Sequence, residues 1–95
     1  GMKIGNVEVQ PKITTMVALS YASSQGVPAL ELFNWMPRQM TPIQYIGLFV
    51  AACGGKVTTE QVHAEIDINA DVYGEIVQAV VNEIIDPNKG AETTK

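Results

Sequence analysis

The chain has 95 residues, 46% of them hydrophobic and 17% charged, with a formal net charge of −4. That length holds one small domain with a single core, and that composition is too apolar and too weakly charged for a chain disordered along its length. A lone cysteine, Cys53, allows no intrachain disulfide, and with a lone histidine, His63, it cannot supply the ligand set of a structural zinc site.

The charges are placed unevenly. Residues 1–59 carry Lys3, Lys12, Arg38 and Lys56 against Glu8 and Glu31, whereas residues 60–95 carry eight acidic groups against Lys89 and Lys95. The acidic stretch around Glu60, Glu65, Asp67, Asp71, Glu75, Glu83 and Asp86 contains no Lys or Arg and would repel a phosphate backbone, so nucleic acid is not an expected partner. Its plain reading is a solvated helix face, and its sharper one a docking face for a basic partner segment. The longest apolar stretch, residues 43–53 interrupted by Gln44, falls short of the roughly 20 residues that span a bilayer, so no membrane is expected. Gly1 in front of Met2 reads as the scar of a removed tag. No signal-peptide run follows it, and a cytoplasmic protein is expected.

Along the chain, Lys3-Ile4 and Val7-Glu8-Val9 lean toward strand around Gly5-Asn6, a dipeptide suited to a two-residue turn, which predicts a short hairpin. Pro11 ends the pairing, and Thr14 or Thr15 can cap a helix with Met16, Val17, Leu19 and Tyr21 as its apolar members and Gly26 just past its end. Pro28 opens a second, short helix through Ala29, Leu30, Leu32 and Phe33, which must stop before Pro37.

Thr41-Pro42-Ile43-Gln44 then combines an N-cap hydroxyl, a proline at the first helical position and a glutamine that can reach back as a capping box. The helix it opens runs to Cys53 and stops at Gly54-Gly55. It carries two apolar stripes, Ile43, Ile46, Val50 and Cys53 on one side and Tyr45, Leu48, Phe49 and Ala52 on the other. Such a helix is either central to a small bundle or has one face on the core and one on a partner. Thr58 and Gln61 repeat the capping box for a helix with Val62 and Ile66 inward. Asn69 or Asp71 caps the last helix, where Val72, Tyr73, Ile76, Val77, Val80, Val81 and Ile84 lie opposite Glu75, Gln78 and Asn82. Glu83 falls inside that apolar arc, and Gly74 costs about 1 kcal/mol of helix propensity. Asp86-Pro87 stops the helix. The expected fold is therefore mainly α, a small single-domain bundle of four to five helices with a short N-terminal β-hairpin over residues 2–86, followed by a flexible tail over 87–95.

No spacing names a reaction. Asp67, Asn69 and Asp71 occupy the first, third and fifth places of a calcium loop, but Val72 stands where its glycine belongs and Gln78 where its closing glutamate belongs. His63-Ala64-Glu65 begins a zinc-deaminase signature whose cysteine half is missing, and no partner is spaced to make His63 a general base. Gly54-Gly55-Lys56 lacks the spacing of a phosphate loop. No enzymatic activity, cofactor or metal is expected. Trp35 and Arg38, of residue types enriched at the centres of interfaces, are the candidate contact residues.

The hairpin, the helix ending Ser24-Gln25-Gly26-Val27-Pro28, the segment Leu30-Glu31-Leu32-Phe33, the hydrophobic helix from Thr41-Pro42-Ile43-Gln44, the start Val57-Thr58-Thr59-Glu60-Gln61-Val62 and the final acidic helix together resemble the small tail assembly chaperones of long-tailed bacteriophages and prophages. The resemblance spans about residues 3–86 and includes no catalytic signature. It implies a non-enzymatic protein of the bacterial host cytoplasm, absent from the finished virion, that binds the tape measure protein and helps recruit tail tube protein subunits. It also implies that a frameshifted longer product can exist, joined through the tail. In that setting Tyr45, Leu48 and Phe49 would line a groove for an amphipathic helix, with Trp35 and Arg38 at its rim. The first helix is less charged than the family's common pattern. The competing reading is a small bacterial helical adaptor or regulatory domain that uses the same apolar face to bind a protein or to form a homo-oligomer.

Overall fold

A computed structural model describes residues 2–26 and 40–85. Two strands, β1 (Met2–Ile4) and β2 (Val7–Val9), precede four helices, α1 (Thr15–Gln25), α2 (Pro42–Ala52), α3 (Thr59–Ile68) and α4 (Asp71–Ile85). The fold is mainly α with an N-terminal hairpin. The short helix expected after Pro28, the tail over 87–95, Trp35 and Arg38 all lie outside the described residues.

The hairpin is antiparallel, with Met2 opposite Val9, Lys3 opposite Glu8 and Ile4 opposite Val7. Gly5 has φ +63° while Asn6 stays at negative φ, the pattern of a type II′ turn, whose first central residue favours glycine. Alternation then decides which side chains go inward. Ile4 and Val9 are buried, Met2 and Val7 are half-buried against them, and the oppositely charged Lys3 and Glu8 face solvent across the pair. Strand β1 lies against α3, so the hairpin closes one side of the helical core rather than projecting from it.

A threonine fixes the start of three of the four helices. Thr14 Oγ1 accepts the N–H of Val17 at 3.2 Å at the head of α1. At α2, Thr41 Oγ1 accepts the Gln44 N–H at 3.2 Å while Gln44 Oε1 accepts the Thr41 N–H at 2.8 Å; Thr58 and Gln61 repeat both bonds at 3.1 and 2.8 Å for α3. These reciprocal bonds satisfy amide groups that the first turn of a helix leaves without partners. At α4, Asn69 Oδ1 accepts the Asp71 N–H at 3.1 Å, and the Asn69 carbonyl accepts from Val72. Gly26, in the left-handed region, ends α1, and Gly54-Gly55 turn the chain after α2 so that Val57 enters the core.

Helix α2 is the hub, in contact with α1, α3 and α4. Three neighbours cover both of its apolar stripes, so Ile46, Leu48, Phe49, Ala52 and Cys53 are all buried. Of the two arrangements open to such a helix, the central one holds. Ile43 is the exception, 77% exposed in the first turn. Val62 from α3 and Val72, Ile76 and Val80 from α4 complete the core, and Glu75, Gln78 and Asn82 face solvent as the periodicity predicts. Helix α1 packs against α2. It buries Ala18, Tyr21 and Ala22 and leaves Met16 and Leu19 exposed, because small residues at i and i+4 let α1 approach α2 closely while Tyr21 reaches across. The Tyr21 hydroxyl donates to the Gln44 carbonyl at 2.9 Å, and a Cβ on Gly47 would stand 3.4 Å from the Tyr21 ring.

Candidate functional site

The partner groove expected from Tyr45, Leu48 and Phe49 is not an open groove. Leu48 and Phe49 are completely buried and Tyr45 is half-buried, so two of the three residues belong to the core. The reason is the hub position of α2. Periodicity showed two apolar faces but not that neighbouring helices cover both. Trp35 and Arg38 lie outside the described residues, and of the three contact residues that are described only Tyr45 has exposed surface.

Large apolar side chains in solvent are found elsewhere. Met16 is 72%, Leu19 48%, Ile43 77% and Ile68 80% exposed. Leu19 borders a groove of about 240 Å³ between the start of α1 and the end of α4, lined by Ile13, Thr14, Thr15, Ala18, Leu19, Glu83 and Ile84. The floor of this groove is set by one long-range bond, in which Glu83 Oε1 accepts the N–H of Ile13 at 3.1 Å. Lys12, one residue earlier, donates its backbone N–H to the Ala52 carbonyl at 3.1 Å. The segment leading into α1 is therefore held against the ends of both α2 and α4. Sequence reading missed this groove because it named the apolar members of α1 without deciding which of them face the core. The available signal was the pair Ala18 and Ala22, whose spacing marks the close-packed face and so turns Met16 and Leu19 outward.

A second groove, about 380 Å³, lies between the hairpin turn and α3, lined by Ile4, Gly5, Asn6, Val7, Gln61, Ala64 and Glu65. A Cβ on Gly5 would stand 3.3 Å from Glu65 Oε1, which places that carboxylate against the turn. His63 is exposed on α3.

The titratable groups buried in the core are held neutral. Burial pushes the Tyr21 phenol up to about 12 and the Cys53 thiol up to about 11. The Tyr73 phenol is also raised, by burial first and by the neighbouring Tyr45 phenol second. A thiol protonated at neutral pH is a packing group rather than a nucleophile. Among the described residues no cluster of three or more His, Cys, Asp or Glu is placed to hold a metal ion, and no helix is long and apolar enough to cross a membrane. What the arrangement offers is apolar contact surface. Compared with protein-family models, curated proteins and solved structures, the chain matches none.

Proposed function

We propose that this chain is a tail assembly chaperone of a long-tailed bacteriophage or prophage, which binds the tape measure protein in the bacterial cytoplasm, keeps its helices from aggregating and helps recruit tail tube subunits. The sequence resemblance is the starting point. The observation that carries the reading is that a domain whose core already holds Leu48, Phe49, Val62, Ile76 and Val80 still leaves Met16, Leu19, Ile43 and Ile68 in solvent. Exposed large apolar side chains beside a shallow groove are the surface that an amphipathic helix of another protein uses. A long, helix-rich client prone to self-association is such a protein, and a small partner absent from the finished particle would bind it reversibly.

The chaperone reading expects a very long protein, the tape measure protein, to be encoded just downstream, and the test is co-expression with it, followed by affinity capture and light scattering on the eluted species. The chaperone reading requires the two to co-purify and the long protein to remain soluble only when this chain is present. If the long protein aggregates regardless and this chain elutes alone, the reading is wrong. The adaptor reading then replaces it, beginning with self-association of the purified chain.

A further inference from the structure

Of the surfaces that could receive a partner, the hairpin groove is walled by Gln61 and Glu65, and Ile43 and Ile68 stand singly on α2 and α3. The hairpin groove also has apolar lining residues, Ile4, Val7 and Ala64; what sets the slot between α1 and α4 apart is a large apolar side chain in solvent on its rim, Leu19. The slot has an apolar lining from Ile13, Ala18, Leu19 and Ile84. Met16, three residues before Leu19 on the same helix, is its neighbour on the helix surface and also stands in solvent. The slot also contains one charged group, Glu83, with one oxygen held by the Ile13 N–H. A carboxylate accepts more than one bond, and its other oxygen takes no hydrogen bond from the described residues, so it can receive a donor from outside.

The charge of Glu83 inside the slot favours a cationic occupant, and the wider sequence has the same sign. Residues 57–85, which form α3 and α4, carry Glu60, Glu65, Asp67, Asp71, Glu75 and Glu83 and no Lys or Arg. An incoming helix meets apolar contact from Ile13, Ala18 and Leu19 on the α1 side of the slot and the Glu83 carboxylate on the α4 side. Lys12 precedes Ile13 in the chain and is not among the residues that line the slot. We infer that the α1–α4 slot is the docking site for a basic amphipathic helix, which sets apolar side chains against Ile13, Met16, Leu19 and Ile84 and a Lys or Arg against Glu83. This rests on the chaperone reading and deepens it: the segments of the tape measure protein that bind are those with an apolar stripe at helical spacing flanked by cations on one side. Complementary charge then gives the interaction its salt dependence, and the apolar slot gives most of its affinity.

Fluorescent synthetic peptides tiling the tape measure protein, titrated with the full chain at low and high salt, test this directly. Peptides with a basic amphipathic pattern bind, and salt weakens them. Leu19→Asp and Met16→Asp, both at exposed positions, weaken binding about tenfold or more while circular dichroism and urea midpoint stay near those of the parent. Glu83→Gln retains an acceptor for the Ile13 N–H and removes only the charge, so it abolishes most of the salt dependence with a loss of about three- to tenfold at low salt. Ile43→Asp and Ile68→Asp bind as the parent does. If either of these two weakens binding while Leu19→Asp does not, the partner is right and the slot is wrong. Binding confined to acidic or uncharged peptides overturns the charge assignment. A parent dimer that Leu19→Asp splits without loss of peptide binding makes the slot a self-association surface and also overturns the proposal. Failure of every peptide, together with failure of the full tape measure protein to co-purify, removes the chaperone reading itself.

Discussion

The Glu83 carboxylate accepts a hydrogen bond from the backbone N–H of Ile13 at 3.1 Å, across 70 residues of sequence, and joins the last turns of α4 to the segment that leads into α1. Both groups are partly buried. Glu83→Ala leaves the Ile13 N–H without its partner and is expected to cost about 1–3 kcal/mol, whereas Glu83→Gln keeps an oxygen in place and costs less than half of that. Urea unfolding with an unchanged slope and a lowered midpoint distinguishes the two. Equal losses for both substitutions would assign the stability to charge rather than to the bond.

Gly74 lies within α4, exposed, with open space where a Cβ would be. Gly74→Ala therefore removes a helix-propensity cost without a steric one and is expected to stabilise by about 1 kcal/mol. In a domain of this size that raises Tm by about 4–8 °C, readable in a calorimetric scan. A fall in Tm would mean that something occupies that space in solution.

Phe49 has no exposed surface at the centre of the hub helix. Phe49→Ala is expected to cost about 3–5 kcal/mol, a large share of the roughly 5–15 kcal/mol available to a small domain, so the cooperative transition should shift far down or vanish. Leu19→Ala, by contrast, should change stability by no more than about 0.5 kcal/mol. Similar small effects at both positions would return Phe49 to the surface.

Alkaline unfolding should involve Tyr21 and Cys53. Their folded pKa values, about 12 and about 11, lie above the ordinary values of 10 and 9 because burial disfavours the charged forms. The folded chain therefore binds these protons more tightly than the unfolded chain does. The stability they contribute is complete below pH about 9 and is lost as pH rises through about 11 for the thiol and 12 for the phenol. Tyr21→Phe removes one of the two titrations and should move the alkaline unfolding midpoint upward. At neutral pH it costs about 1 kcal/mol for the lost bond to the Gln44 carbonyl. A midpoint that does not move places the alkaline transition elsewhere.

Local chemistry made much of the fold readable before any coordinates. Thr41 with Gln44 and Thr58 with Gln61 place two helix starts because the bonds that define them form within three residues. Gly5-Asn6 places the turn for the same reason. The contact surface was not readable, because exposure depends on which neighbours a face acquires. Leu48 and Phe49 look like a free stripe until α3 and α4 are packed beside them, and Met16 and Leu19 look like core until Ala18 and Ala22 take that place. Glu83 seemed misplaced in an apolar arc because its partner, an amide near the other end of the chain, has no signature in sequence.

The Tyr21 ring rests on Gly47, where a methyl group would just reach van der Waals contact. The two positions thus act as a spacer whose combined volume sets the distance between the first two helices. Bulk beyond a methyl at position 47 must be given up at position 21, and with it the hydroxyl that anchors α1 to the Gln44 carbonyl. Because that same helix bears Met16 and Leu19, a substitution in this hidden pair would tilt the exposed face without altering any residue on it. Interaction strength could then drift through the interior while the surface sequence stayed constant.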